Sequence, residues 1–184
     1  MKLLYSATSP YSAKTRFAAH YLGLPIEAVV VDTNNPPAIL TDNNPLSKIP
    51  VLVVDNGPPV YDSVAIMHYM DRLSGGKLYP TAQEARTQAE VLEALCDGTL
   101  DCLLAIIYER RFRPAEIVHQ PWIDKQWAKV EDALDYLESN LPLVDDTLHG
   151  GHFALAALLS YLDLRFSGMW QANRPHLAAW LERF

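Results

Sequence analysis

In residues 2–23 the chain reads KLLYSATSPYSAKTRFAAHYLG, a stretch that decides the fold of the N-terminal part. The apolar run Leu3-Leu4-Tyr5 predicts a short buried strand, and the apolar spacing that follows predicts a helix over 10–22. Ser9 and Pro10 support this boundary, because serine at the N-cap and proline at the first helical position commonly start a helix. The stretch therefore predicts a strand followed by a helix that has a serine hydroxyl at its N-terminus.

The hydroxyls of this turn also limit its chemistry. Ser9-Pro10-Tyr11-Ser12 has the spacing of a dithiol redox motif, but hydroxyls stand where both sulfurs would be. Intramolecular dithiol exchange is impossible here, because it needs two thiols. What remains is a hydroxyl at a helix N-terminus, where a bound thiolate would be stabilised.

Strands and helices continue to alternate through the N-terminal part. Residues 26–31 (IEAVVV) predict a strand that is apolar enough for a covered parallel sheet, and residues 49–54 predict a third strand. The turn Asp55-Asn56-Gly57 leads to a short fourth strand around 59–61, and a helix over 63–73 follows. The order is β-α-β followed by β-β-α, which resembles the order of the thioredoxin fold.

The pattern changes at Gly75-Gly76, and everything after this break is predicted to be helical. Thr81-Ala82-Gln83-Glu84 matches a capping box that starts a long helix, and His149-Gly150-Gly151-His152 is interpreted as a flexible connection. We therefore predict two domains, 1–76 and 81–184, of which the second is all-helical. Its helices are expected from the capping box to Phe112, over 121–140 and 153–166, and after Pro175.

The composition is that of an ordinary globular protein and excludes several classes. Of the 184 residues, 49% are hydrophobic and 20% are charged, and the net charge is −7. This acidic balance argues against nucleic-acid binding, which needs basic residues to neutralise phosphates. No apolar run approaches the roughly 20 residues of a membrane span, and no signal peptide is recognised. With two cysteines, a disulfide framework or a zinc cluster is excluded, so we expect a cytoplasmic protein without a metal.

Four segments of the chain together resemble one protein family. They read TSPYSAKTR at 8–16, NPLSKIPVL at 44–52, YDSVAI at 61–66 and RPHL at 174–177. In this order, with the change to a helical pattern between the third and the fourth, they are similar to the bacterial cytosolic glutathione S-transferases. The resemblance implies a thioredoxin-like α/β N-terminal domain followed by an all-α helical bundle, a homodimer, and glutathione as the co-substrate.

The resemblance assigns the first segment to the sulfur of glutathione. In serine-type members the serine at the start of this helix stabilises the thiolate, and Ser9 occupies that position. A hydroxyl hydrogen bond to a charged sulfur contributes about 1.5–3 kcal/mol, and helix N-terminal amides add about 0.3–1 kcal/mol. Together they would lower the pKa of a bound thiol by roughly one to three units. Tyr5 is the competing donor, although core packing is the favoured interpretation, and Ser12 is interpreted as a helix-surface hydroxyl or a second weak donor.

The second and third segments are expected to hold the rest of the tripeptide. The resemblance implies a cis bond between Ile49 and Pro50, which turns the Ile49 backbone toward the cysteine of glutathione. Lys48 either approaches the glycine carboxylate or is a solvated loop lysine. Ser63 is interpreted as an N-cap that holds the γ-glutamyl carboxylate, since helix N-termini bind anions, and Asp62 would face the ammonium group.

The acceptor is expected between this site and the helical domain. Tyr11, Tyr108 and Arg111 are the candidate residues of the electrophile pocket, and the basic cluster 110–113 either holds an anionic substrate or is a solvated helix end. The family's central helix usually begins with Ser or Thr and an Asp three residues later. Residues 153–157 read FALAA, with alanine at both positions, so a capping loss of about 1–2 kcal/mol is expected.

The predicted function is therefore conjugation of the glutathione thiolate to a small hydrophobic electrophile, whose identity the sequence does not give. Two alternatives stay open. One is glutathione-dependent reduction of a disulfide or a peroxide, and the other is a transferase-like binding or regulatory protein without catalysis.

Overall fold

The computed structural model describes residues 1–145 and 147–184, which form a small sheet with three helices followed by a group of longer helices. This order agrees with the predicted α/β part and helical part. The elements are β1 (Lys2–Tyr5), α1 (Pro10–Tyr21), β2 (Glu27–Val30), α2 (Ala38–Thr41), β3 (Val51–Val53), α3 (Ser63–Leu73), α4 (Gln83–Phe112), a 3₁₀ turn (Ala115–Ile117), α5 (Gln120–Ser139), α6 (Gly150–Phe166) and α7 (Pro175–Arg183).

The sheet has the strand order β2-β1-β3. β1 pairs parallel with β2, with Leu3 opposite Ala28, and antiparallel with β3, with Leu3 opposite Leu52. The predicted fourth strand is wrong, because Val60 makes only an isolated bridge to Leu52. Prolines at 58 and 59 explain this, since they have no N–H with which to extend the ladder.

β2 lies at an edge of the sheet, so the expectation of a covered strand is also wrong. Val30 is 67% exposed, and Glu27 and Ala28 are exposed as well. The parallel pairing itself is confirmed. An edge strand has a neighbour on one side only, and a run of β-branched residues does not reveal which position in the sheet its strand will take.

α6 forms the centre of the helical part, as its uniformly apolar sequence predicts. All its residues from Phe153 to Leu159 are buried, and α1, α4 and α7 pack along it. α5 packs against α4 and buries Ile123, Val130 and Leu134 on one stripe. The contact of α1 with α6 joins the sheet to the helical part.

The segment from His149 to His152 begins α6 and is not a flexible connection. His149 is the N-cap, and its N–H donates to Nδ1 of His152 over 3.1 Å. Nε2 of His152 lies 2.9 Å from the Leu143 carbonyl oxygen. The alanines at 154 and 157 are therefore inside the helix, where alanine is the most favourable residue. The expected loss of capping free energy at residues 154–157 is wrong, because the helix begins earlier and has His149 as its N-cap.

Close packing explains the two glycines of this helix start. A Cβ on Gly150 would lie 2.7 Å from the Tyr79 ring, and a Cβ on Gly151 would lie 2.9 Å from the Ala89 carbonyl oxygen. Ala89 belongs to α4, and Tyr79 lies just before it. The missing side chains thus allow the first turn of α6 to approach α4 closely.

α4 begins at Gln83, one residue later than the capping box predicts. Its N-cap is Ala82, and no side chain makes a capping hydrogen bond at this end. A capping side chain belongs to the N-cap residue, from which it reaches the amide of the second or third helical residue. Thr81 precedes the N-cap by one residue, so its hydroxyl is not in that position. The capping-box interpretation is therefore wrong.

Two expectations concern the chain as a whole. Among the helices of the described residues, none combines the length and the apolar character that crossing a bilayer requires. The division into domains 1–76 and 81–184 stays a prediction.

Candidate functional site

Ser9 is the N-cap of α1, where its backbone is extended with φ −86° and ψ 118°. Its Oγ accepts a hydrogen bond from the Ser12 amide over 3.2 Å. Since this bond uses a lone pair of Oγ, the hydroxyl hydrogen stays available to another acceptor. A neutral donor beside the free amides of a helix N-terminus suits an anion such as a thiolate.

The two other hydroxyls considered near Ser9 have different surroundings. Ser12 is fully buried, and its Oγ has no hydrogen-bond partner among the described residues. The interpretation of Ser12 as a helix-surface hydroxyl is therefore wrong. Tyr5 is half-buried, and the Arg16 guanidinium lies 4.6 Å above its ring, a cation–π contact that occupies one ring face.

The N-terminus of α3 presents Asp62 and Ser63 next to each other. Asp62 is the N-cap, and its Oδ1 accepts a hydrogen bond from the Val64 amide over 2.8 Å. The predicted cap at Ser63 is wrong, because an aspartate one residue earlier fills the role equally well. Ser63 is the buried first residue of the helix, so its amide has no intrahelical acceptor. Asp62 is exposed, which leaves its Oδ2 accessible to a cation.

The loop before β3 carries the residues expected next to the cysteine of glutathione. The Ile49–Pro50 peptide is cis, which confirms the bond implied by the resemblance. The Lys48 carbonyl accepts a hydrogen bond from Nδ2 of Asn44 over 2.9 Å. The Lys48 side chain is exposed, and its ligand role stays a prediction.

A buried ion cluster, formed by Lys14, Glu93 and Asp97, joins α1 to α4. Lys14 is fully buried, and its Nζ lies 2.9 Å from a Glu93 oxygen and 2.5 Å from an Asp97 oxygen. The Tyr79 hydroxyl donates to the other Glu93 oxygen over 2.5 Å. Burial alone would lower the pKa of Lys14, but the two carboxylates raise it above its usual value. The ammonium therefore stays charged inside the protein.

The start of α1 makes a further polar contact with α4 next to this cluster. The Tyr11 hydroxyl donates to the Asp101 carboxylate. Burial is the main cause that raises the pKa of both Tyr11 and Asp97, and the negative charge of Asp62 adds to both shifts. Asp62 thus lies within electrostatic range of Tyr11 and Asp97, and the site near Ser9 carries an excess of carboxylates.

Tyr108 and Arg111 lie further along α4. Tyr108 follows Asp101 by seven residues, which places it on the same helix face roughly 10 Å away. Its ring contacts that of Phe112 with centroids 5.3 Å apart. Burial raises the pKa of Tyr161 in α6, while the charges of Arg165 and Arg111 lower it. The candidate pocket residues therefore form two groups, Tyr11 near Ser9 and the other two toward the end of α4.

Comparison with known proteins gives a family for this fold and site. The model of the glutathione S-transferase N-terminal domain matches residues 8–73, and the model of the C-terminal domain matches residues 120–183. The uncharacterized GST-like protein YibF of Escherichia coli (strain K12) is 30% identical over 99% of this chain and 92% of its own length. The chain belongs to the glutathione S-transferase family.

Solved glutathione S-transferase structures show the same fold. The enzyme of Methylobacillus flagellatus KT, crystallised with glutathione bound, has a TM-score of 0.92 and 34% identity, covering 99% of this chain and 93% of its own. The enzyme of Methylobacterium radiotolerans JCM 2831, in complex with glutathione sulfonate, has a TM-score of 0.91 and 30% identity, covering 99% and 88%. The predicted fold class, a thioredoxin-like domain followed by a helical domain, is confirmed. The serine-type subclass stays a prediction.

Sequence reasoning missed the buried ion cluster of this glutathione S-transferase. A signal was present, because Lys14 lies four residues before Ala18 on the buried face of α1. Glu93, Asp97 and Asp101 likewise recur every four residues along α4. A lysine on a buried helix face indicates a buried acidic partner, since lysine is almost never fully buried without one.

The cysteines lie in α4, away from the serine turn in sequence. Cys96 is fully buried, and burial raises the pKa of its thiol, which makes the reactive thiolate rare. Cys102 is partly buried. In the part of the chain that the structure describes, no three or more His, Cys, Asp or Glu side chains are grouped to hold a metal ion.

Proposed function

We propose that this chain is a serine-type glutathione transferase, in which the thiolate of bound glutathione attacks an electrophilic carbon of a small hydrophobic acceptor. The observation that carries the proposal is the state of the Ser9 hydroxyl. Its oxygen is engaged by the Ser12 amide over 3.2 Å, and its hydrogen is free for a sulfur anion. Family membership and the relative crystallised with glutathione support glutathione as the ligand.

The charged ends of glutathione find complementary groups around Ser9. The γ-glutamyl carboxylate would bind the free amide and the hydroxyl of Ser63 at the start of α3. The neighbouring ammonium would face Asp62, whose Oδ1 already caps the helix and whose Oδ2 is left for the ligand. The backbone of Ile49 would pair with the cysteine, and Lys48 would approach the glycine carboxylate.

The protein would supply orientation and a lowered thiol pKa, without a covalent enzyme intermediate. A free thiol titrates near pH 8.5, and roughly 1.4 kcal/mol corresponds to one pKa unit. A Ser9 hydrogen bond of about 1.5–3 kcal/mol therefore makes the thiolate a major form near neutral pH. The thiol proton passes to solvent, and the sulfur electron pair forms the new C–S bond. In a substitution, the leaving group departs with the electron pair of the broken bond.

Transfer is preferred over reduction because neither cysteine belongs to the turn at α1. A disulfide or peroxide reduction would have glutathione as its only sulfur at the site, whereas transfer needs only one thiolate. On family grounds we also propose a homodimer, a cytoplasmic location, and a glutathione-binding domain over 1–76 with a helical domain over 81–184.

Titration of the thiolate absorbance of bound glutathione tests the role of Ser9. In Ser9→Ala we expect the pKa of the bound thiol to rise by about one to two units. Ser9→Gly is the matched control for the helix cap, because glycine keeps most of the N-cap stability. It should raise the thiol pKa as much as alanine does, while the protein loses less stability.

Tyr5→Phe tests the competing donor in the same titration. We expect no change in the thiol pKa; a rise in Tyr5→Phe with none in Ser9→Ala would transfer the role to Tyr5. Turnover of a chlorodinitrobenzene-type acceptor supports conjugation. Turnover of only a hydroxyethyl-disulfide-type substrate would identify a reductase, and glutathione binding without either activity would identify a binding protein.

A further inference from the structure

The start of α6 carries two histidines at the positions of a capping box. His149 is the N-cap, and His152 is the third residue of the helix. Their rings lie edge to face with centroids 4.0 Å apart, and His152 is only 3% exposed. A capping box usually has serine or threonine at the first of these positions and glutamate or glutamine at the second. Here both positions hold an imidazole, a group that changes its charge between pH 5 and pH 8.

The hydrogen bonds of His152 fix the place of its ring proton. The His149 amide can only donate, and it points at Nδ1 of His152 over 3.1 Å. Nδ1 is therefore the unprotonated acceptor of the ring. The proton of the neutral ring is then on Nε2, which lies 2.9 Å from the Leu143 carbonyl oxygen. Only the neutral ring with its proton on Nε2 can make both bonds.

Three side chains of α6 and α7 donate hydrogen bonds to consecutive carbonyl groups of residues 141–145, which we call the strap. These bonds join Trp180 to Pro142 over 2.8 Å, His152 to Leu143 over 2.9 Å and Arg183 to Val144 over 3.2 Å. The rings of His152 and Trp180 also stack, with centroids 6.2 Å apart. An indole N–H does not titrate and a guanidinium stays charged. Of these three donors, His152 is therefore the one that titrates near neutral pH.

We propose that His149 and His152 form an acid-sensitive latch, whose protonation releases the strap and the first turn of α6. An imidazolium donates at both nitrogens, so a proton on Nδ1 of His152 would face the His149 amide. The ring would have to turn away, and its bond to Leu143 would be lost together with the capping bond. The positive end of the helix dipole also disfavours a cation at this place.

Burial opposes protonation of the latch. It lowers the pKa of both imidazoles, and the charge of His152 adds to the effect on His149. The negative charge of Asp145 in the strap acts in the opposite direction on both rings. Asp145 is exposed, so solvent and salt screen its effect. The closed latch therefore favours two neutral rings.

The other elements around the latch bring few charges to it. Beside the strap, the titratable or charged groups next to it are Arg183 of α7, Tyr21 of α1, Tyr136 of α5 and Tyr79 before α4. The Tyr79 hydroxyl donates to Glu93, and the Tyr21 hydroxyl accepts from the Leu148 amide over 3.4 Å. The residues that α4 contributes to the cavity beside His149 are uncharged. The imidazoles are thus the groups whose charge changes here between pH 7.5 and pH 5.

The acid sensitivity of the latch follows from the protons that each form binds. A histidine that is neutral in the closed form titrates near pH 6.5 once it is released. The open form then binds more protons, so closing weakens as the pH falls below about 6.5. Between pH 7.5 and pH 5 one such histidine favours opening by a factor of about 30. Because His149 is only half-buried, we count His152 alone and expect about 10–30-fold.

Hydrogen exchange of the His149 amide tests the latch, measured by NMR on the full chain at pH 7.5 and pH 5. This amide donates to His152, so its protection factor, corrected for the intrinsic exchange rate at each pH, reports the opening equilibrium. We expect the factor to be about 10–30-fold lower at pH 5. The Leu158 amide, in the buried middle of α6, should stay better protected than the His149 amide at both pH values. Equal protection of the two amides would mean that the latch opens only by global unfolding, and would overturn the proposal.

The double variant His149→Ser, His152→Gln is the matched test of titration. Serine and glutamine at these positions form a standard capping box, and neither titrates between pH 5 and pH 8. The loss of protection at residue 149 should then shrink to less than about threefold. His20→Gln removes an exposed histidine elsewhere and should keep the wild-type loss.

Two results would refute the latch. One is a loss of protection in the double variant as large as in wild type, and the other is a wild-type protection factor that does not change between the two pH values. The wild-type measurement decides the question even if the double variant folds poorly. The latch goes beyond the proposed function and does not depend on it, so a failure to bind glutathione would leave this inference standing.

Discussion

Replacing Lys14 with methionine tests how α1 is held against α4. Methionine keeps most of the length and apolar surface of the side chain but removes the ammonium. Glu93 and Asp97, whose side chains are 4% and 16% exposed, then face each other without a cation. Removing one partner of a buried ion pair costs about 3–5 kcal/mol.

Protonation sets an upper limit on this cost. A carboxyl group that takes up a proton at pH 7 instead of staying charged costs about 4 kcal/mol, because a glutamate side chain ordinarily titrates near pH 4.3, roughly 2.7 units lower. Asp97 reaches solvent more than Glu93 does and can keep its charge. We therefore expect Lys14→Met to lose about 3–4 kcal/mol of unfolding free energy.

Urea unfolding followed by tryptophan fluorescence measures this loss, with all variants at the same protein concentration. Lys2→Met is the matched control, because Lys2 pairs with Glu27 at 3.9 Å while the two side chains are 49% and 64% exposed. Such a surface pair contributes about 0–1 kcal/mol. In a chain of this size the loss in Lys14→Met would lower the melting temperature by roughly 6–16 °C.

A compensated variant completes the test. Lys14→Met combined with Glu93→Gln and Asp97→Asn leaves neutral groups in the same space, so it should regain at least half of the lost stability. A loss in Lys14→Met no larger than that in Lys2→Met would refute the reasoning, since it would mean that the buried carboxylates do not need the ammonium.

Three further outcomes follow from the packing, the histidines and the ligand. Gly150→Ala should lose about 1–3 kcal/mol of unfolding free energy, because its Cβ would meet the Tyr79 ring; Gly98→Ala, with open space around it, should gain about 0.5–1 kcal/mol in the same urea assay. Burial and then the charge of His152 lower the pKa of His149 to about 4. Since the unfolded histidine titrates near 6.5, the unfolded state binds more protons and stability should fall as the pH drops from about 6.5 to 4. In urea curves at pH 7.5 and pH 5, His149→Gln should lose less than wild type by about 1 kcal/mol, allowing for partial exposure; equal losses would contradict the assignment. Glutathione at about one hundred times its Kd should add about 2.7 kcal/mol to the unfolding free energy, and a thermal shift assay without any change would contradict binding.

Element order was predictable because its signals are local. The strand at Leu3, the helix opened by Ser9 and Pro10, and the apolar α6 each follow from residues that are close in sequence. The exact start of each helix was harder to predict, because two neighbouring residues can both serve as the N-cap. Asp62 rather than Ser63 caps α3, and His149 caps α6 five residues before the first alanine of the expected motif.

The failures at Gly150, Gly151 and Lys14 share a cause, which is that the deciding partner is distant in sequence. Gly150 and Gly151 look like a flexible link until Tyr79 and Ala89 are seen to pack on them. Lys14 looks like a surface lysine, although its partner Glu93 lies 79 positions away. No local pattern gives such a pairing, so only the chemistry of a charged residue on a buried face could have signalled it.

The polar contacts between α1 and α4 connect stability with the proposed chemistry. Ser9, Tyr11 and Lys14 lie within the first two turns of the same helix, and the last two are bound to α4 through Asp101 and the ion cluster. The proposed donor for the sulfur, Ser9, therefore lies at the start of α1, whereas Tyr108 and Arg111 of the proposed electrophile pocket lie on α4. Because hydrogen bonds and ion pairs have directional geometry, unlike apolar contacts, they fix how far α1 can slide along α4. The distance between thiolate and acceptor would then be set by Tyr11 and Lys14, which themselves need not touch the reacting atoms.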